Sequence, residues 1–252
     1  MNKDPLIRDQ ITILDDDSSY LSTLSNLEYI AANFKNKNNL IIFEKLLSET
    51  NNLDKKIIND LMKTILYNES TTSIDAIKLL VKYGADVNYQ DDESSWSPLL
   101  TCTIHPINSI ETIEFLIESG ANVNIKNASQ NTALTDIVTA STKINDLEII
   151  KLLIRKGSHV NCKNINGNTS LILSLYSLRN VSIRYDIIKI LLDNKADIYI
   201  KNEVGENVLD ITKRKIGVNS DIYSLIFNYK NIKNDHLCTC DIDFIYNIFI
   251  KN

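Results

Sequence analysis

The sequence predicts an all-α fold, a solenoid of about five to six helix-pair repeats joined by short extended fingers. Three observations carry this reading. A leucine-rich helical end, a glycine and an extended valine–asparagine step recur along the chain at a nearly constant spacing. A helix-capping residue opens a new apolar run at a fixed distance after each copy. The 252 residues contain only 6 Gly and 3 Pro, too few for the many tight turns of an all-β architecture.

The recurring unit is visible in "KLLVKYGADVNYQ" (78–90), "FLIESGANVNIKN" (115–127), "KLLIRKGSHVNCKN" (151–164) and "KILLDNKADIYIKN" (189–202). Gly84, Gly120, Gly157 and then Lys195 occupy one position, at steps of 36, 37 and 38 residues. Such self-similarity marks a solenoid, because one helix pair cannot bury its apolar face alone and must stack on its neighbours. Each part of the unit has a physical task. Ser97, Thr132, Thr169 and Asn207 can cap the first helix of a pair, and Pro98 suits a first helical position, where no N–H is needed. Leu79/Leu80, Leu152/Leu153 and Leu191/Leu192 belong to second helices and face neighbouring repeats. The glycines end those helices in the left-handed conformation. Val87, Val123 and Val160 turn inward where the chain becomes extended, and the tips beyond them are polar because they face water. Ser97 follows its glycine by 13 residues and the other caps follow theirs by 12, so the tip before Ser97 is one residue longer.

The same rule phases the rest of the chain. Lys45-Leu46-Leu47 lies one 33-residue period before Lys78-Leu79-Leu80. Repeats are therefore expected near 18–52, 53–90, 97–127, 132–164, 169–202 and 207–231. Residues 1–17 are expected to be a flexible segment. Residues 232–252 are expected to cap the array, with "DIDFIYNIFIKN" (241–252) as a terminal helix, since a solenoid otherwise leaves an apolar end bare.

These residues resemble the ankyrin repeat. G-A-D-V-N at Gly84–Asn88 and G-A-N-V-N at Gly120–Asn124 match its turn, and "SPLL" (97–100), "TALT" (132–135) and "TSLI" (169–172) stand where ankyrin repeats carry T-P-L-H. The copies exceed the usual period of about 33 residues, mainly in "STKIND" (141–146) and "SLRNVSIR" (177–184), a lengthening of surface loops that costs little. There are two departures. The histidine of T-P-L-H is replaced by Leu100, Thr135, Ile172 and Asp210, so its local hydrogen bonds must be replaced or lost. Lys195 stands at a glycine position, costing on the order of 1 kcal/mol if the backbone stays left-handed. The long, Asn- and Ile-rich repeats further resemble those of poxvirus ankyrin proteins.

The resemblance implies a non-catalytic protein–protein interaction module: a viral protein in the host cytoplasm that binds a host innate-immunity or cell-death factor, by sequestration or by delivery to a ubiquitin ligase. Relatives of that kind carry a C-terminal F-box-like segment that recruits a Skp–cullin ligase, but "NDHLCTCDIDFIYNIFIKN" lacks the expected leucine–proline opening. The alternative is a cellular or self-assembling scaffold, or a truncated inactive relic of a longer ankyrin/F-box protein. The resemblance also makes Asn88, Asn124 and Asn161 possible substrates of an oxygen-sensing asparagine hydroxylase; the simpler reading is that they bond the turn backbone.

Composition and motifs agree with a binding role. The formal charge is −5, and the basic stretches "KNKNN" (35–39) and "TKRKIG" (212–217) are short, so no nucleic-acid partner is expected. No window approaches the roughly 18–20 apolar residues of a membrane span, and no signal peptide is read at the start. Four cysteines without a framework of paired spacings fit a reducing compartment. No phosphate loop, H-E-x-x-H or G-x-S-x-G is present, so no catalytic residue and no cofactor is expected. His236, Cys238 and Cys240 in "HLCTC" form a weak metal candidate, because zinc usually requires a second ligand pair. The expected partner contacts lie on the finger tips. They are Trp96, the single tryptophan and a natural anchor or a ring folded onto its neighbour; the acidic Asp91, Asp92 and Glu93; and the polar Asn127, Gln130, Asn164 and Asn166.

Overall fold

The computed structural model describes residues 25–31, 37–50, 53–67, 73–92, 95–104, 110–140, 145–176 and 181–235. These residues form helices and connecting turns, with no strand among them. The helices fall into six consecutive pairs. The pairs are α1 (25–31) with α2 (Lys37–Glu49), α3 (Lys55–Tyr67) with α4 (Ile74–Lys82), α5 (Pro98–Ile104) with α6 (Ile110–Glu118), α7 (Ala133–Ala140) with α8 (Asp146–Arg155), α9 (Ser170–Ser174) with α10 (Val181–Asp193), and α11 (Val208–Lys215) with α12 (Asp221–Asp235).

First helices stack on first helices, α3 to α5 to α7 to α9 to α11, and second helices form a parallel layer in which α6, α8, α10 and α12 follow one another. A single apolar core runs the length of this two-layer stack, from Leu27 to Ile226. The central first helices α5 and α7 are short and buried nearly all round: every residue from Pro98 to Thr103 is buried, as is every residue from Ala133 to Val138. The second helices are amphipathic and bury one face, with Leu80, Leu116 and Leu153 fully enclosed.

Capping chemistry fixes where each helix begins and ends. The hydroxyls of Ser97, Thr132 and Thr169 accept the N–H groups of Leu100, Thr135 and Ile172 at 3.3–3.4 Å. Asn207 and Asp210 form a reciprocal capping box on α11. At the far end of the second helices, Ala85, Ala121, Ser158 and Ala196 donate their N–H to the carbonyls of Leu80, Leu116, Leu153 and Leu191 at 2.9–3.0 Å. This is the Schellman geometry, and it needs a left-handed residue just before the donor. Gly84, Gly120 and Gly157 hold φ near +96°, and Lys195 is forced to +66° in the same role.

The missing T-P-L-H histidine has two outcomes. At α7 the Thr135 hydroxyl takes over, accepting the Thr132 N–H at 2.7 Å and donating to the Thr132 carbonyl at 2.8 Å. At α11 the Asp210 carboxylate accepts the Asn207 N–H at 3.1 Å. Leu100 and Ile172 replace the bond with apolar burial, at 0% and 1% exposure.

Candidate functional site

Between each second helix and the next first helix the chain makes a finger. Fingers 3 to 6 span residues 84–96, 120–131, 157–168 and 195–206. Each tip is closed by one Asx residue, and in fingers 4 to 6 its side chain accepts two later N–H groups, which spares the backbone from being left unpaired. Asn127 Oδ1 accepts from Ser129 and Asn131, Asn164 Oδ1 from Asn166 and Asn168, and Asn202 Oδ1 from Val204 and Glu206, all at 3.0–3.1 Å. The backbone closes each loop as well, from Asn127 to Asn131, Asn164 to Asn168 and Asn202 to Glu206. In finger 3 the closure runs from Asp91 to Trp96, one residue longer.

The predicted contact residues divide by their place in these turns. Asp91 is 8% exposed; its carboxylate accepts the Trp96 N–H at 3.2 Å and lies 3.6 Å from the Lys63 ammonium. Asn127 is 4% exposed, and Asn164 is half-buried. These three shape the tips from within. Asp92, Gln130 and Asn166 are exposed, Gln130 with φ +60° at the turn of its tip. Trp96 is half-buried and packs against the core. Glu93, His236, Cys238 and Cys240 lie outside the described residues, as do residues 1–17 and most of the expected terminal cap.

The structure adds residues that the sequence reading passed over. Ile165 is 63% exposed and Val204 80% exposed, each on a glycine-containing tip. An isolated apolar residue between turn formers, as in "NING" and "NEVGE", leaves no periodic signal. Each tip carries one apolar side chain into water where it does nothing for folding.

Neighbouring fingers are tied together. Asn88 donates Nδ2–H to the Gly120 carbonyl at 3.0 Å and accepts the Asn122 N–H at 2.7 Å. Asn124 does the same with Gly157 and His159, and Asn161 with Lys195 and Asp197. Each asparagine is a rung to the next repeat. Tyr199 stands where a fourth rung would be and is exposed. Nearer the tips, Ile165 N–H donates to the Ser129 carbonyl and Glu203 N–H to the Asn166 carbonyl, both at 3.0 Å. Gly167 is required at that junction: a Cβ there would sit 2.7 Å from the Glu203 nitrogen. The finger row is therefore a stiff surface.

Its charge changes sign along the array. Residues 1–120 hold 10 Lys/Arg against 19 Asp/Glu, whereas residues 121–252 hold 17 against 13. Finger 3 is purely acidic, with Asp86, Asp91, Asp92 and Glu93, while the only full charges of fingers 4 and 5 are Lys126 and Lys163. Among the described residues no group of three His, Cys, Asp or Glu side chains is placed to hold a metal ion. Burial raises the pKa of the Cys102 thiol inside α5, which keeps it protonated and unreactive. No described helix is long and apolar enough to cross a membrane.

Six stacked helix pairs, glycine-ended second helices and cross-linked fingers define an ankyrin-type repeat array. The family model for ankyrin repeats (3 copies) matches residues 29–127 and 108–202. The chain belongs to the ankyrin-repeat family, whose members are protein-interaction modules. It is also similar to a putative ankyrin repeat protein, R664, of Acanthamoeba polyphaga mimivirus, with 33% identity over 84 residues. That match covers 32% of this chain and spans about half, 49%, of the relative's length.

Proposed function

We propose that the chain is a non-catalytic binding protein of viral type that engages a host innate-immunity or cell-death factor in the host cytoplasm through its finger row. One observation carries the binding surface: Ile165 and Val204 are held out into water on tips that are hydrogen-bonded to each other and to the repeats beneath. A surface already ordered before docking loses little conformational entropy on binding, so a few apolar anchors suffice for affinity. Asp92, Gln130 and Asn166 are exposed polar side chains of the same row, with Asp91, Asn127 and Asn164 holding the turns in shape. Trp96 braces the long tip of finger 3. The viral assignment draws on the mimivirus relative and on the likeness of the long repeats to those of poxviruses.

The test is affinity capture. Tagged full-length chain is incubated with lysate of interferon-treated mammalian cells, beside the double variant Ile165→Asp/Val204→Asp. A host protein retained near stoichiometry by the natural chain and lost by the variant is the expected result. Skp and cullin retained with it would assign delivery to a ligase, and their absence sequestration. A chain that retains no specific protein, or a partner indifferent to the variant, would sink the proposal.

A further inference from the structure

The finger row points to the chemistry of its partner. Lys126, Lys163 and Lys201 occupy one register position, directly before the turn-closing Asn127, Asn164 and Asn202. Lys163 and Lys201 are exposed and Lys126 is half-buried. None of the three ammonium groups makes an ion pair among the described residues, whereas Lys63, Lys82, Lys151 and Lys189 all do. Lys126 reaches across to the Lys163 carbonyl at 3.1 Å, so its charge lies at the junction of fingers 4 and 5. The carboxylates of finger 6 offset this row only in part: Glu206 is taken up by a two-pronged contact with Arg214 at 2.8–2.9 Å, which leaves Asp197 and Glu203. The apolar anchors stand in the same two fingers, Ile165 two residues after Lys163 and Val204 three residues after Lys201.

We infer that fingers 4 to 6 bind an extended, acidic segment of a partner protein, its carboxylates set over Lys126, Lys163 and Lys201 and its apolar side chains on Ile165 and Val204. Exposed charges at repeat spacing steer and register a linear ligand more than they add affinity, and the apolar tips supply the anchoring. Finger 3 bounds the segment. Asp91 is paired with Lys63, but Asp92 is exposed at the tip and the finger itself holds no Lys or Arg, so it repels the acidic stretch, which lies over fingers 4 to 6 and does not extend past Trp96. This inference rests on the finger row being the binding surface.

The test is selection of a random peptide display library on the full-length chain, followed by binding measurements on the selected peptides. Three variants serve as comparison: Lys126→Gln/Lys163→Gln/Lys201→Gln, the corresponding Glu triple, and Ile165→Asp/Val204→Asp. Unchanged circular dichroism shows each variant folded. The expected result is enrichment of Asp and Glu interleaved with apolar residues. The selected peptide should bind the Gln triple about tenfold more weakly and the Glu triple more weakly still. Raising salt from about 50 to about 300 mM should weaken binding to the natural chain but have little effect on the Gln triple. Peptides without acidic enrichment that depend on Ile165 and Val204 would overturn this inference and leave the binding surface intact. Peptides indifferent to every variant would overturn both. Tighter binding of a single-stranded oligonucleotide than of any selected peptide would assign the lysines to nucleic acid instead and also overturn the inference.

Discussion

Asp136 shows how one side chain can burden a fold. It sits in α7 at 5% exposure, and its Oδ2 has no hydrogen-bond partner. Burial raises its pKa from 3.8 to about 7, partly opposed by a hydrogen bond from Asn131. The folded chain therefore holds this proton when the unfolded chain has released it. The associated stability is fully present below about pH 4, falls as pH rises, and is gone above about pH 7. Asp136→Asn should remove that slope and stabilise the protein at about pH 8 by on the order of a few kcal/mol. Urea melts at several pH values measure it, and a variant no more stable than the natural chain at about pH 8 would show that the carboxylate is accommodated. Lys195 is a second burden at this scale. It was legible from the sequence because three glycines precede it in register, and its φ of +66° follows. The roles of Asp91, Asn127 and Asn164 were not legible. A polar residue at a tip reads as exposed, and only the geometry shows two N–H groups drawn onto each of the asparagine carbonyls and the Trp96 N–H onto the Asp91 carboxylate.

At the scale of elements, the period made the array readable. Leucine pairs, capping hydroxyls and glycines recur because each helix pair solves the same burial problem, and the helix ends fall where Ser97, Thr132, Thr169 and Asn207 cap them. Leu153 in α8 tests the stacking. It is fully buried, and truncation should leave a cavity between repeats. Leu153→Ala should cost about 2–5 kcal/mol in a denaturant titration. A loss below about 0.5 kcal/mol would mean that α8 does not pack as described. The asparagine rungs were harder to foresee. The sequence shows Asn88, Asn124 and Asn161 beside their own turns, but their bonds reach the backbone of the following repeat, 32 to 36 residues away. Local pattern carries no record of that distance.

For the whole molecule, nearest-neighbour stacking gives a stiff array, and stiffness matches a role in holding another protein. The fold class was legible because it is repetitive. The surface was legible only in outline, since binding residues are by nature the positions where repeats differ. Ile165 and Val204 break the tip pattern, and the lysine row stands out only once the fingers are aligned in space. The chain's charge gradient, acidic in its first half and basic in its second, likewise becomes meaningful only when the fingers line up.

The most direct measurement is hydrogen–deuterium exchange on the full-length chain with and without its captured partner. The account predicts slowed exchange in residues 120–131, 157–168 and 195–206, with the second helices α8 and α10 unchanged. Protection concentrated on α8 and α10, with the fingers exchanging as in the free chain, would contradict it.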